Sequence, residues 1–285
     1  MKPTEYEITR KFNYKKIIES INEWDIYNLI PENEKLNFLD IGAGTGIFSL
    51  PLLEKITLKN KFINYDAIDM NKKMLLFLEK KVKNINRENI NFNPIHYKIK
   101  NNINLSKKYD IIFCAGIQHK INDWEILLNN LTQHLTRDGI LIIGFRTDKW
   151  LKLVFGKKID EKYFISHPIS KIIKNYYDYL KKNKCSLSPN QLDKLSRIYD
   201  LHKTNKFLES IYLKPKKKFV IRWQTKFTFE EICNLIKQKK HTSFSFVKKE
   251  CNFLAIKNIC EKKNMPKFDI IKNKYEFIFY EKTKN

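Results

Sequence analysis

Three of the chain's seven glycines fall within five positions, in the run Asp40-Ile-Gly42-Ala43-Gly44-Thr-Gly46. Glycine adopts backbone angles closed to other residues and lets the main chain approach a ligand closely, so such a cluster marks a sharp turn with bare backbone. Its flanks say where the turn sits. Residues 36–41 form a short apolar run that reads as a buried parallel strand, and 48–55 carry apolar residues at helical spacing. A glycine turn placed between a strand and a helix presents the unpaired N–H groups of the helix start to polar ligand atoms.

The same grammar repeats downstream. Strands are predicted at 62–68, 89–97, 109–115 and 139–145, with helices at 72–82 and 124–135 between them. Alternation of this kind predicts an α/β fold, Rossmann-like and doubly wound, with a mostly parallel sheet covered by helices on both faces. Upstream, apolar spacing over 12–29 predicts one or two helices. After Arg146 the chain turns Lys- and Tyr-rich and helical, broken at Pro168, Pro189 and Pro215, and no strand is clear until 219–223. Thr228 reads as the N-cap of a helix over 229–239, and 268–271 with 275–280 around Asn273-Lys274 reads as an antiparallel C-terminal hairpin. The resulting division is 1–35 as an N-terminal helical lid and 36–146 as a cofactor-binding core. Residues 147–226 form an inserted helical cap, and 227–285 a helix and strands completing the core sheet.

Composition removes several classes. With 42% hydrophobic and 13% aromatic residues the chain has ample material for a core, unlike a disordered segment. The formal charge of +24 invites an anionic partner, yet lysine is spread along the whole chain. Only Lys214, Lys216, Lys217 and Lys218 form a tight run, so nucleic acid is a possible partner but not the favoured one. The five cysteines make no CxxC pair and have no histidine spacing suited to zinc, so reduced thiols and no metal site are expected. No apolar run has the length to cross a bilayer and the first residues lack a signal-peptide core, which predicts a cytoplasmic protein, monomer or homodimer, with no membrane partner.

Asp69 ends the strand over 62–68. A carboxylate there can accept both hydroxyls of a ribose, or it can cap the helix that follows. Taken with the glycine run, Asp40 to Gly46 and Asp69 resemble the first two motifs of the class I S-adenosylmethionine-dependent methyltransferases of small-molecule type. The likeness extends over about 36–146, through Tyr109-Asp110-Ile-Ile-Phe113, Ile117-Gln118-His119-Lys-Ile-Asn-Asp123 and the segment 135–143. The resemblance implies S-adenosyl-L-methionine as cofactor, with the Gly42, Ala43, Gly44 and Gly46 backbone along its methionine part and Asp40 steadying that loop. Asp69 would hold the ribose, Met70 would pack on the adenine, and Cys114 and Ala115 would line the floor near the sulfonium. Members often carry an acid at the end of the third strand for the adenine amino group, where this chain has His96, Tyr97 and Lys98.

Methyl transfer from a sulfonium is a direct displacement, so the protein mainly holds donor and acceptor in line and removes a proton where the acceptor needs it. His119 is the candidate base, since a neutral imidazole takes a proton near neutral pH; the alternative is a loop-fixing hydrogen bond. Gln118, Trp150 and Trp223 are the candidates to touch the acceptor. The implied function is a SAM-dependent methyltransferase acting on an O, N or carboxylate of a small molecule. Two alternatives stand beside it: an RNA or protein methyltransferase that uses the basic surface, and a cofactor-binding protein without turnover.

Overall fold

The structure is a computed structural model that describes residues 2–31, 33–58, 62–85, 87–100, 103–146, 171–183, 185, 201–238, 248–262 and 265–283. Trp150 lies outside that set, and so does the side chain of His119. Seven strands form one sheet, in the order β3-β2-β1-β4-β5-β7-β6. They are β1 (Lys35–Ile41), β2 (Phe62–Asp69), β3 (Ile90–His96), β4 (Tyr109–Ala115), β5 (Leu135–Arg146), β6 (Leu213–Thr228) and β7 (Phe268–Lys282). The first five are parallel, whereas β7 runs antiparallel to both β5 and β6. β4 is buried from Tyr109 to Cys114, as expected of a central parallel strand covered on both faces. β6 alternates buried and exposed residues from Ile221 to Thr228, the pattern of a strand at the margin.

Helices α3 (Ser49–Thr57) and α4 (Lys72–Ile85) make the crossovers between β1, β2 and β3, and α5 (Trp124–Gln133) makes the one between β4 and β5. α1 (Pro3–Arg10) and α2 (Tyr14–Asn22) precede the sheet. α2, α3 and α4 share one core with Phe38, Tyr65, Phe113, Ile142 and Phe277. The opposite face packs α5 and α7 (Leu201–Ser210) on Leu39, Ile112, Cys114, Leu141 and Ile143. A third cluster unites α6 (Lys171–Lys182), α8 (Phe229–Lys237) and α9 (Lys249–Glu261) around Tyr176, Ile232, Ile236, Ile256 and Ile259. α8 starts with a capping box, in which Thr228 Oγ1 accepts from the Glu231 amide and the Glu231 carboxylate accepts from the Thr228 amide.

Three expectations are corrected. The predicted hairpin around Asn273-Lys274 does not form: 268–282 is one unbroken strand, with Asn273 paired to Trp223 and Lys274 to Arg222 on β6. A two-residue turn needs both strands to pair with each other, whereas here the alternation of 268–280 is consumed by two different neighbours. Residues 213–226, expected at the end of the cap, belong to the sheet, because the lysine run 214–218 stands on a margin strand where one face stays in water. The expected set of reduced thiols is also incomplete, since Cys185 and Cys251 form a disulfide across a sequence separation of 66 that no local spacing reveals.

Candidate functional site

Sheet order reverses between β1 and β4, and in open α/β sheets the crevice outside the carboxyl ends at such a point is where ligands settle. The glycine run occupies that position. Gly42, Gly44 and Gly46 all lie at positive φ, at 71°, 54° and 70°. The turn is pinned to β2 by the Gly42 and Ala43 amides, which donate to the Ile68 carbonyl at 2.8 and 3.0 Å. Ile117, from the turn after β4, closes over Gly42 so tightly that a Cβ there would stand 2.1 Å from its Cγ2. Over Gly44 the nearest obstacle to a Cβ is the Gly42 carbonyl at 3.9 Å, and over Gly116, at the end of β4, there is none within 4 Å. Two stretches of bare main chain therefore face open space on either side of the reversal.

Asp69 joins this loop to α4. Its Oδ2 accepts from the Gly44 amide at 2.9 Å and its Oδ1 from the Asn71 amide at 2.8 Å. Of the two residues at this corner, Asn71 is the one whose side chain caps the following turn, accepting from the Lys73 amide. A carboxylate offers about four lone-pair directions, so two backbone donors leave it able to accept hydroxyls as well. Beside it Met70 and Tyr97 are 59% and 42% exposed. Their backbone is fixed by a bond from the Tyr97 amide to the Asp69 carbonyl and by one between the His96 side-chain Nε2 and the Met70 carbonyl. A planar base fits such a pair of exposed apolar faces.

Asp40 is buried beneath the loop, accepting from Tyr65 Oη at 2.9 Å, while Ser49 Oγ and Tyr65 Oη lie 3.1 Å apart. Burial pushes its pKa from the ordinary 3.8 up to about 7; hydrogen bonds from Ser49 and Tyr65 oppose the rise and the negative charge of Asp69 adds to it. Neither Tyr65 nor Ser49 was singled out in the sequence. The available signal was a phenol in the middle of a predicted parallel strand, since a buried hydroxyl requires a partner.

Two residues expected at the crevice have protein partners. Cys114 turns its side chain into the core beneath α5 and α7, and burial, with Asp40 second, raises its thiol well above the usual range, so it offers the crevice only main chain. Gln118 is buried and donates from Nε2 to the Gly144 carbonyl at 3.1 Å, clamping the turn after β4 onto β5. Ala115, half-buried, packs against the opposite core. Trp223 is buried on β6, stacked on Tyr275 at 5.7 Å and 6.0 Å from Phe12, which in turn meets Phe48 at 5.9 Å just after the glycine run. Its indole Nε1 is buried with no hydrogen-bond partner.

The N-terminal helices α1 and α2 complete this wall and are fastened at two points. Lys81 on α4 binds Glu7 at 2.6 Å and the Thr45 carbonyl of the glycine run at 3.3 Å. Lys11, the C-cap of α1, binds both Glu231 oxygens at 2.7 Å and the Lys226 carbonyl at 3.0 Å. Beside the outgoing end of the loop a cleft of about 410 Å³ opens between lid and helices, lined by Phe12, Tyr14, Ile47, Leu50, Glu54 and Lys81 among others.

A doubly wound sheet with bare main chain at its reversal, a carboxylate at the end of β2 and exposed apolar groups beside it has the build of a nucleoside-binding methyltransferase. The family of methyltransferase domains matches residues 39–141. Over 206 residues the chain is 28% identical to malonyl-[acyl-carrier protein] O-methyltransferase 2 of Ilyobacter polytropus, covering 60% of this chain and 76% of the relative. Over 181 residues it is 26% identical to the ubiquinone biosynthesis O-methyltransferase of Rickettsia typhi, covering 63% and 66%. Among solved structures, a SAM-dependent methyltransferase of Thiobacillus denitrificans in complex with S-adenosyl-L-homocysteine shares the fold with a TM-score of 0.51 at 10% identity, over 99% of this chain and 100% of that one. Residues 39–141 thus carry a methyltransferase domain, and the enzyme uses S-adenosyl-L-methionine as its cofactor. The open space over Gly44 and Gly116, with Asp69 between the amides of Gly44 and Asn71, fits that group.

Proposed function

We propose that this enzyme methylates an oxygen of a small acceptor lodged between the glycine run and the lid. The cofactor supplies a methyl group carried on a sulfonium. Around it, the main chain of 42–46 takes the methionine part, Asp69 accepts the ribose hydroxyls, and Met70 and Tyr97 cover the adenine. Phe12 and Trp223 wall the acceptor, and the unpartnered Trp223 N–H donates to it. His119, in the short turn Gln118–Lys120 directly after β4, takes the acceptor proton as the new bond forms. Two relatives named as O-methyltransferases support oxygen as the accepting atom. A small acceptor is favoured over a polymer because three of the four lysines in the tight basic run are engaged: Lys214 and Lys216 by Glu281, Lys218 by Glu276.

The observation that carries this reading is Asp69, held by two amides at the mouth of the crevice beside exposed Met70 and Tyr97. Calorimetric titration with S-adenosylmethionine and S-adenosylhomocysteine tests it. Asp69→Ala is expected to weaken binding by roughly 1.5–3 kcal/mol, the loss of charged hydrogen bonds, with Asp69→Asn in between; unchanged affinity in both variants ends the assignment of Asp69. His119→Ala should keep cofactor affinity and slow transfer, and unchanged turnover would remove the base from that residue.

A further inference from the structure

The cleft of about 410 Å³ beside the glycine run has the size of a small-molecule site, and methyl transfer makes no use of its Tyr14, Glu54 or Asn84. Phe12 and Tyr14 enter it from the start of α2, Glu54 from α3, and Lys81 and Asn84 from α4. It lies apart from the nucleoside crevice. Asp69 stands just before Lys72, the first residue of α4, and Lys81 and Asn84 follow about 14–18 Å further along that helix. Phe12 is the shared wall, lining the cleft while it meets Trp223 at 6.0 Å.

The cleft already holds one ammonium. Lys81 Nζ is 2.6 Å from Glu7, 5.4 Å from the ring centre of Tyr14 and 4.9 Å from that of Phe77, so a carboxylate and two aromatic rings surround a cation. That pairing neutralises Glu7. Glu54 has no equivalent: among the described residues its carboxylate makes no hydrogen bond and no ion pair within 4 Å, and Arg87, outside the lining of the cleft, acts on it only at longer range. Burial raises Glu54 above the usual carboxylate range, with Arg87 opposing. Burial, then Glu54, then Glu7, pushes the Tyr14 phenol up to about 12, so both carboxylates are felt at that ring. A half-buried carboxylate left unmatched among aromatic and aliphatic walls selects a cation with an apolar body. An anion would be repelled by Glu54, and a neutral molecule would cover its charge without a partner.

We propose that this cleft is a second ligand site, which takes a small organic cation with its ammonium on Glu54 and its apolar body against Phe12, Tyr14 and Leu50. Because those walls come from α3 and from the chain entering α2, the bound cation ties α2 to α3 and works alongside the Lys81–Glu7 pair.

The test titrates the full chain, without cofactor, with three probes of similar shape and follows the backbone amides by NMR. The probes are 2-phenylethylamine, a cation at neutral pH, 2-phenylethanol, which is neutral, and phenylacetate, an anion. The amine should shift amides over 12–16, 47–54 and 81–85 and bind about tenfold or more tightly than the other two, as a hydrogen-bonded charge pair requires. Glu54→Gln should remove that preference. Equal affinities for the three probes, no binding by any of them, or amine shifts confined to 42–46, 69–71 and 97 would overturn the site, and these outcomes are read on the wild-type chain alone. A preference for the amine that survives in Glu54→Gln would overturn the role of that carboxylate. Amide hydrogen exchange over 14–22 should slow several-fold with the amine and not with the alcohol; unchanged exchange in the amine-bound chain overturns the tie between α2 and α3. None of these readouts involves cofactor binding or turnover, so their failure leaves the reading of Asp69 standing.

Discussion

Gly42 and Gly44 are two residues apart and share a left-handed backbone, yet they answer to different constraints. A Cβ on Gly42 would strike Ile117 at 2.1 Å, whereas one on Gly44 would meet nothing nearer than 3.9 Å. The left-handed conformation alone costs a residue with a Cβ about 1–2 kcal/mol. Gly44→Ala is therefore expected to lower stability by about that amount and to weaken cofactor binding about tenfold or more, because the added methyl enters the open space. Gly42→Ala should cost about 2–4 kcal/mol, since Ile117 must also move. Denaturant melts and calorimetry separate the two, and equal losses of stability would contradict the packing seen over Gly42. Asp40 makes a prediction in pH. Its folded-state value of about 7 lies above the ordinary 3.8, so it contributes stability in full below about 3.8 and loses that contribution as pH rises through about 7. Asp40→Asn keeps an oxygen acceptor for Tyr65 without the charge. Between roughly pH 5 and pH 7.5 the melting temperature of the variant should fall less than that of the wild type, and parallel profiles would refute the assignment.

At the scale of elements, α2 ends without glycine and is finished instead by a side chain from another helix. Lys55 on α3 donates to the carbonyls of Ile21 at 3.2 Å, Asn22 at 2.6 Å and Trp24, three acceptors at the end of α2. The ammonium also favours the negative end of that helix, and its pKa is lowered by burial, with Asp25 opposing. Lys55→Met keeps the aliphatic stem and strands these carbonyls, so a loss of about 1–3 kcal/mol is expected, with faster amide exchange confined to 14–22. A uniform loss across the sheet would show that Lys55 acts through the core instead. The N-terminal helices depend on the same kind of long-range fastening, through Lys81–Glu7 and Lys11–Glu231. Neither pair has a periodic spacing, which is why helical structure there was legible in its apolar residues while its attachment was not.

For the whole molecule, +24 at neutral pH means that the folded chain repels itself, although many lysines find a carboxylate within reach. Screening over about 10 Å at 0.1 M salt should relieve that repulsion. The melting temperature is expected to rise by several degrees between about 0.02 and 0.2 M sodium chloride. A flat or falling response would mean that local ion pairs outweigh the net charge. At this scale the C-terminal strand decides the architecture, because β7 lies between β5 and β6 and joins the parallel half of the sheet to its margin. No helix among the described residues is long and apolar enough to cross a membrane.

Local regularities carried a large part of this protein. Alternating apolar runs determined the five parallel strands and their crossover helices, and β4 keeps its predicted span of 109–115. The glycine run and Asp69 determined where the crevice would lie, because strain at a turn and a carboxylate at a strand end are properties of a few adjacent residues. Tertiary structure alone decided the rest. Whether 268–282 folds back on itself or lies between two other strands depends on which edge is left unpaired, and that is set by the β5 edge and β6 rather than by the segment. Gln118 and Cys114 stood at motif positions, yet the direction of a side chain at a strand end follows from the packing of both cores. Pairings such as Asp40 with Tyr65 and Lys55 with the end of α2 join residues 25 or more apart in sequence. Only a closed fold brings such groups within the few ångströms at which hydrogen bonds operate.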